Sequence, residues 1–226
     1  MRIFTLLLLT LAISLTSGCN DSDSGNTAPK EYRLFPADYF YSSYREDYTL
    51  SGDDQLGLPY DATYFIEARE ETTLGSDAVV PAFEYLKFTN LFTTLSLTIT
   101  TTNYFTTPPT AAEILALTDP FTGLDTVTAI TTTLPQTAKI GEEGEVGTYT
   151  DSSGNTTAYT WALEKGRKGR ANLIFQARIT ESSGALKATV KKTFEIDTEG
   201  KRHYLYLTLY YKKNNFTVTL EGPRDS

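Results

Sequence analysis

Residues 171–196 read ANLIFQARITESSGALKATVKKTFEI. Between Ala171 and Glu181 an apolar side chain falls at every second position (Ala171, Leu173, Phe175, Ala177, Ile179), while Asn172, Gln176 and Arg178 take the other face. Ser182-Ser183-Gly184 interrupts the run, and Leu186, Ala188, Val190, Phe194 and Ile196 set up a second stripe. A period of two broken by a short Ser/Gly turn is the pattern of an antiparallel hairpin. Lys192 breaks that second stripe. It marks a bulge, a strand end reaching solvent, or the polar lining of a cavity.

The same pattern extends in both directions. Asn155–Lys165 alternates Tyr159, Trp161 and Leu163, and Phe216, Val218 and Leu220 form a last stripe. Asp151–Asn155, Gly166–Gly169, Thr198–Gly200 and Lys213–Asn215 supply the intervening turns. Upstream, Tyr48–Asp54, Tyr60–Glu71, Ala78–Asn90, Thr94–Phe105 and Val127–Thr133 read as further strands, with Leu95, Leu97 and Ile99 making one stripe. In Ala78–Asn90 the apolar phase slips between Phe83/Tyr85 and Leu86/Phe88, which predicts a bulge or bend. Thr110 and Glu113 stand at capping-box spacing ahead of Ile114-Leu115-Ala116-Leu117, so a short helix is expected near 110–118. The 38 Thr and 15 Tyr of the chain are strand formers. The expected fold is all-β: an antiparallel meander forming a sandwich or incomplete barrel with one short helix.

The chain has 226 residues with a formal net charge of −8, and one Cys and one His. That inventory excludes an internal disulfide scaffold and a His/Cys zinc cluster. The acidic balance argues against nucleic acid as a partner. No cofactor motif is present, and no metal is expected: the acids Asp53, Asp54 and Asp61, and Glu142, Glu143, Glu145 and Asp151, match no calcium loop.

Met1-Arg2 followed by the apolar run Ile3–Leu15 is the pattern of an export signal, too short to span a bilayer. Next comes Leu15-Thr16-Ser17-Gly18-Cys19. This segment resembles the bacterial lipobox, with Leu15 one residue ahead of the family's aliphatic position. The resemblance implies acylation of Cys19, including an N-linked chain such as palmitate, and removal of residues 1–18 as a signal peptide. Two or more acyl chains hold a protein stably to a membrane. Asn20 after the Cys implies transfer to the outer membrane, facing the periplasm, in a cell with two membranes. Residues 19–31 then read as the lipidated Cys and a polar tether, and 32–226 as a β-rich domain. Tyr48-Thr-Leu-Ser-Gly-Asp and Tyr149-Thr-Asp-Ser-Ser-Gly open its two halves alike, and the halves would meet near 107–147.

Charge is divided along the chain. Residues 20–160 hold 6 basic and 21 acidic side chains, and residues 161–226 hold 13 and 7. Alternate turns of a meander share an end of the sheet, so Arg167, Lys168, Arg170, Lys201 and Arg202 are expected to gather into a basic rim, which either keeps hairpin tips and sheet edges soluble and unpaired or meets anionic lipid or polysaccharide. Lys201–Tyr211 places Tyr204, Tyr206 and Tyr210 on one face and His203, Leu205, Leu207 and Leu209 on the other, which reads as a strand buried on both faces or as one that carries an aromatic surface. His203 has no nucleophile motif beside it, so no catalytic residue is assigned. The reading is a membrane-anchored cell-envelope lipoprotein acting as a non-catalytic binding or structural module. A carrier of a lipid or other hydrophobic ligand in a β cavity, and a glycan-acting enzyme using paired carboxylates, stay open as alternatives.

Overall fold

A computed structural model describes residues 30–107 and 112–226. The signal, Cys19, the tether up to residue 29 and Thr110 of the expected capping box lie outside the described residues. Within them the alternating segments become strands at nearly the expected positions: β1 (Glu31–Arg33), β2 (Arg45–Asp54), β3 (Pro59–Ala68), β4 (Thr72–Leu74), β5 (Asp77–Asn90), β6 (Ser96–Thr106), β7 (Ile114–Leu117), β8 (Thr126–Thr131), β9 (Thr137–Lys139), β10 (Glu143–Asp151), β11 (Thr156–Lys165), β12 (Ala171–Thr180), β13 (Leu186–Ile196), β14 (Arg202–Tyr211) and β15 (Phe216–Pro223). Strands β1 and β9 form a small sheet of their own. Twelve others run in the order β7-β6-β5-β3-β2-β15-β14-β13-β12-β11-β10-β8, every pairing antiparallel, with β4 beside β5.

The sheet curls into a nearly closed barrel, so the alternative of a sandwich is set aside. Each half of the chain is a meander, and the halves join where β2 pairs with β15. The outer strands β7 and β8 are stitched mainly by side chains: Leu117 N–H donates to Thr126 Oγ1, whose hydroxyl returns a bond to the Leu117 carbonyl, and Thr131 donates to Glu113. Tyr149 on β10 adds a bond from its hydroxyl to the Ile114 carbonyl at 2.9 Å.

Three of the turns share one device. Asp54, Asp151 and Asp197 each open a turn, accept backbone N–H groups two and four residues ahead, and are followed three residues later by a glycine at positive φ. Short polar side chains that bond forward to the backbone favour such turns. The acids singled out in sequence as oxygen-rich clusters are thus partly committed to turn caps. Among the described residues no group of three His, Cys, Asp or Glu is placed to hold a metal ion.

Two local expectations give way to tertiary structure. Ile114–Leu117 is strand, not helix, and pairs with β6; Ala112 bridges Leu134. A capping box contributes about 1 kcal/mol, whereas this segment buries Ile114, Ala116 and Leu117 and closes the barrel. The Glu113 carboxylate serves Thr131. Strand β5 carries no bulge: its ladder is continuous from Ala82 to Asn90 with β3 and from Val79 to Thr89 with β6. The apparent slip arises because Glu84 points inward with Ala82, Leu86 and Phe88, while Phe83 and Tyr85 pack on the outside with Phe65, beneath Arg45 and Arg69.

One end of the barrel is plugged by residues 34–44, whose rings Phe35, Tyr39 and Phe40 pack with Phe105 at centroid separations of 4.8 to 6.0 Å. The other end carries the turns at 55–58, 91–95, 152–155, 181–185 and 212–215.

Candidate functional site

The interior is layered. Next to the plug, Glu46 on β2 and Arg202 on β14 are both 1% exposed, with Arg202 Nη1 to Glu46 Oε2 at 3.4 Å. Tyr44 and Tyr48 donate their hydroxyls to Glu46, and Arg224 Nη1 lies 3.4 Å from it. The Arg202 guanidinium sits 4.1 Å from the centroid of Phe194 and 4.9 Å from that of Tyr39, an arrangement that gives a buried cation a favourable ring face on two sides. Burial opposes its charge, but Glu46 and the surrounding phenols hold its pKa well above the ordinary guanidinium value. Burial pushes the Tyr39 hydroxyl up to about 12, with Glu84 and Glu46 adding to the effect.

Deeper along the axis lies a second charged pair. Glu84 accepts Lys192 Nζ at 2.5 Å, Tyr64 Oη at 2.9 Å and Asn103 Nδ2 at 2.9 Å, so three donors from β13, β3 and β6 converge on one buried carboxylate. Burial, then the charge of Glu84, raises the Tyr64 pKa well above its usual value. An ammonium carries three donors. Among the described residues only Glu84 accepts from Lys192.

Lys192 and Glu84 form the floor of a cavity of about 60 Å³ that opens towards the unplugged end. Its walls are mainly apolar, with Leu86, Ile99, Val190, Leu207 and Leu209 above the pair. Pro120 borders it, carried by the turn between β7 and β8. That turn is fixed by Asp119, whose Oδ1 accepts the N–H groups of Phe121 and Thr122 and whose Oδ2 lies 3.5 Å from Lys187 Nζ; Phe121 stacks on Tyr211 at 5.3 Å. A chamber with apolar walls and a few convergent polar groups is the general form of a small-molecule site.

Four inward-directed ion pairs, Asp119–Lys187, Glu84–Lys192, Glu46–Arg202 and Glu46–Arg224, each join an acid of the first half to a base of the second. The uneven charge noticed in the sequence is thus partly spent inside the barrel. Of the expected basic rim, the turns 166–170 and 197–201 do share the plugged end, where the strand β1 segment bridges them: Lys30 and Tyr32 donate to the Gly169 carbonyl and Arg33 N–H to that of Thr198. Arg167, Lys168 and Lys201 are exposed. Arg202 is not on the surface at all, and Arg170 is engaged by Glu195. On β14 the tyrosine face is not buried as the leucine face is, and of the two expected arrangements it matches the aromatic surface. Leu205, Leu207 and Leu209 face the core, while Tyr204, Tyr206 and Tyr210 lie half-buried on the outer wall, with Tyr204 and Tyr206 at a ring separation of 4.8 Å. His203 bonds Asp197 at 2.9 Å and so braces a turn.

Sequence reasoning flagged Lys192, offered a polar cavity lining as one reading and counted Glu84 among several candidate carboxylates, but it missed the pairing of the two, Glu46 and the plug. The signal for Glu84 was present as the phase slip in β5.

No family model matches the chain, and no curated protein matches it. Among solved structures it is similar to a chain described as a lipoprotein from Parabacteroides distasonis, with TM-score 0.35 and 11% identity over 85% of this chain and 97% of that one. It is also similar to an exported protein with a YmcC-like fold from Bacteroides fragilis, with TM-score 0.32 and 8% identity over 86% of this chain and 100% of that one.

Proposed function

We propose that this chain is a lipid-anchored protein of the bacterial cell envelope, held at the outer membrane through Cys19, and that its barrel is a non-catalytic binding module. Its ligand is a short alkyl or acyl group bearing a hydrogen-bond acceptor at its inner end. The observation that carries the reading is Lys192, buried at the base of an apolar cavity with one acceptor among the described residues for its three donors. The polar end of the ligand meets the ammonium, and the chain rests on Leu86, Ile99, Val190, Leu207 and Leu209.

Size narrows the ligand. An apolar cavity of about 150 Å³ takes up benzene, so 60 Å³ admits a chain end and not a ring or a whole lipid. A carrier that swallows a complete lipid is disfavoured by the aromatic plug and the filled core around it. Carboxylate-pair chemistry is disfavoured too, because Glu46 and Glu84 are saturated by phenols, an amide and cations.

Two experiments test the reading. Short-chain carboxylates and alcohols are expected to raise the melting temperature saturably, since a ligand at a hundred times its Kd adds about 2.7 kcal/mol to stability. Val190→Phe, which fills the cavity, is expected to abolish the shift; no shift with the wild type overturns the pocket. For the anchor, labelled palmitate is expected to enter the wild type and not Cys19→Ala, and equal labelling of the two overturns it.

A further inference from the structure

Three neighbouring turns at the unplugged end present a surface that neither the core nor the cavity uses. In the turn between β2 and β3, Leu56 is 75% exposed; in the turn between β5 and β6, Leu91, Phe92 and Leu95 are 50%, 72% and 74% exposed. The two turns touch, with Leu91 N–H donating to the Pro59 carbonyl. Gln55 ties the first of them to the turn between β14 and β15: its amide donates to Asn215 O at 3.2 Å and accepts Thr217 N–H at 2.6 Å. That third turn exposes Lys212 and Lys213. Monomeric soluble domains rarely cluster large apolar side chains on adjacent tips, and such a patch marks an interaction surface.

We infer that these tips insert into an anionic lipid bilayer. Apolar side chains projecting at loop ends beside lysines are the composition of an interfacial anchor: the chains enter the headgroup boundary and the ammonium groups meet lipid phosphates. Asp53 and Asp61 are exposed on the outer wall where β2 and β3 enter this end, and Asp54 is turned onto the backbone of its own turn. Chain length allows the posture. Residues 20–30 span at most about 40 Å when extended, while strands of ten residues tilted as in closed barrels rise about 25 Å along the axis. A chain attached at the plugged end therefore reaches a bilayer on which the opposite end rests. The inference does not depend on a ligand in the cavity, although it places the cavity mouth against lipid.

The test follows the position of a reporter. In the mature chain, residues 19–226 carrying Cys19→Ser, an environment-sensitive fluorophore is attached at Leu95→Cys, or at Glu199→Cys on the plugged end as a control. The protein is combined with phosphatidylglycerol-containing vesicles whose acyl chains bear a nitroxide quencher. The label at position 95 is expected to shift to the blue and to be quenched several-fold more than the control. Leu56→Asp with Phe92→Asp is expected to remove the quenching while leaving the ligand-induced melting shift in place, and Lys212→Glu with Lys213→Glu to weaken it on anionic vesicles only. Equal, water-like emission at both positions overturns the inference. So does a blue shift that grows with protein concentration without vesicles, which would mean that a second copy covers the patch.

Discussion

Lys192 and Glu84 lie 108 residues apart in sequence and meet because the barrel closes. Removing one member of a buried ion pair leaves a charge without its partner, a loss of about 3 to 5 kcal/mol, whereas replacing both by apolar groups is often neutral. Lys192→Met is therefore expected to lower the urea midpoint strongly, and Glu84→Leu with Lys192→Met to recover most of it; equal loss in both proteins would contradict the pairing. The buried phenols give an alkaline signature. Tyr39, with its pKa moved from 10.0 to about 12 by burial, and Tyr44, Tyr48, Tyr64, Tyr149 and Tyr159, all moved upward, stay protonated in the fold after the unfolded chain has begun to ionise. The folded state then binds more protons, so stability is whole below pH 10 and falls as pH rises towards 12 and beyond. Tyrosine absorbance should accordingly show a class that ionises only as the barrel unfolds. At this scale the sequence was half legible: Lys192 stood out against a regular stripe, but its partner was disguised as an irregularity of β5, because a single inward polar residue and two outward aromatics mimic a change of phase.

The turns were the most legible elements, since each carries its chemistry locally. Their glycines are not equivalent. Gly200 has φ +81° and an added Cβ would lie 2.7 to 2.9 Å from backbone atoms of Phe35 and Arg33, while Gly184 has φ +82° and open space around it. Gly184→Ala should cost about 1 to 2 kcal/mol for the left-handed backbone alone, and Gly200→Ala distinctly more, because the plug segment must also move. Equal losses in thermal unfolding would show that residues 34–44 do not seat against this turn. The acid limb is set here as well. Burial works against the charge of Asp151 and Asp197, yet forward bonds from Asn155 and Ser153, and from His203, Lys201 and Glu199, leave both carboxyls below their usual 3.8. Their contribution is complete above that value and is lost as pH falls through the lower folded values, so Asp197→Asn should flatten the acid side of the stability profile. The segment at 114–117 shows why other elements were less legible: a local capping pattern was outweighed by the burial available at the closing edge of the sheet.

At the scale of the molecule, two meanders of opposite charge close on each other, and their surplus acids and bases meet inside. That closure could not be read from either half alone, since alternation tells which side of a strand is apolar but not which strand lies across the interior. The plug was missed for the same reason: Phe35, Tyr39, Phe40 and Tyr44 have no period and gain their role only from the open end they fill. Among the described residues, the barrel interior holds a small chamber with a cation at its base. The most direct test of that chamber is a methyl-resolved NMR titration of the intact protein with a carboxylate small enough for it, propionate. Saturable shifts at Leu86, Ile99, Val190, Leu207 and Leu209, absent in Lys192→Met, are the predicted result; unmoved methyls, or shifts centred on the plug, would contradict it.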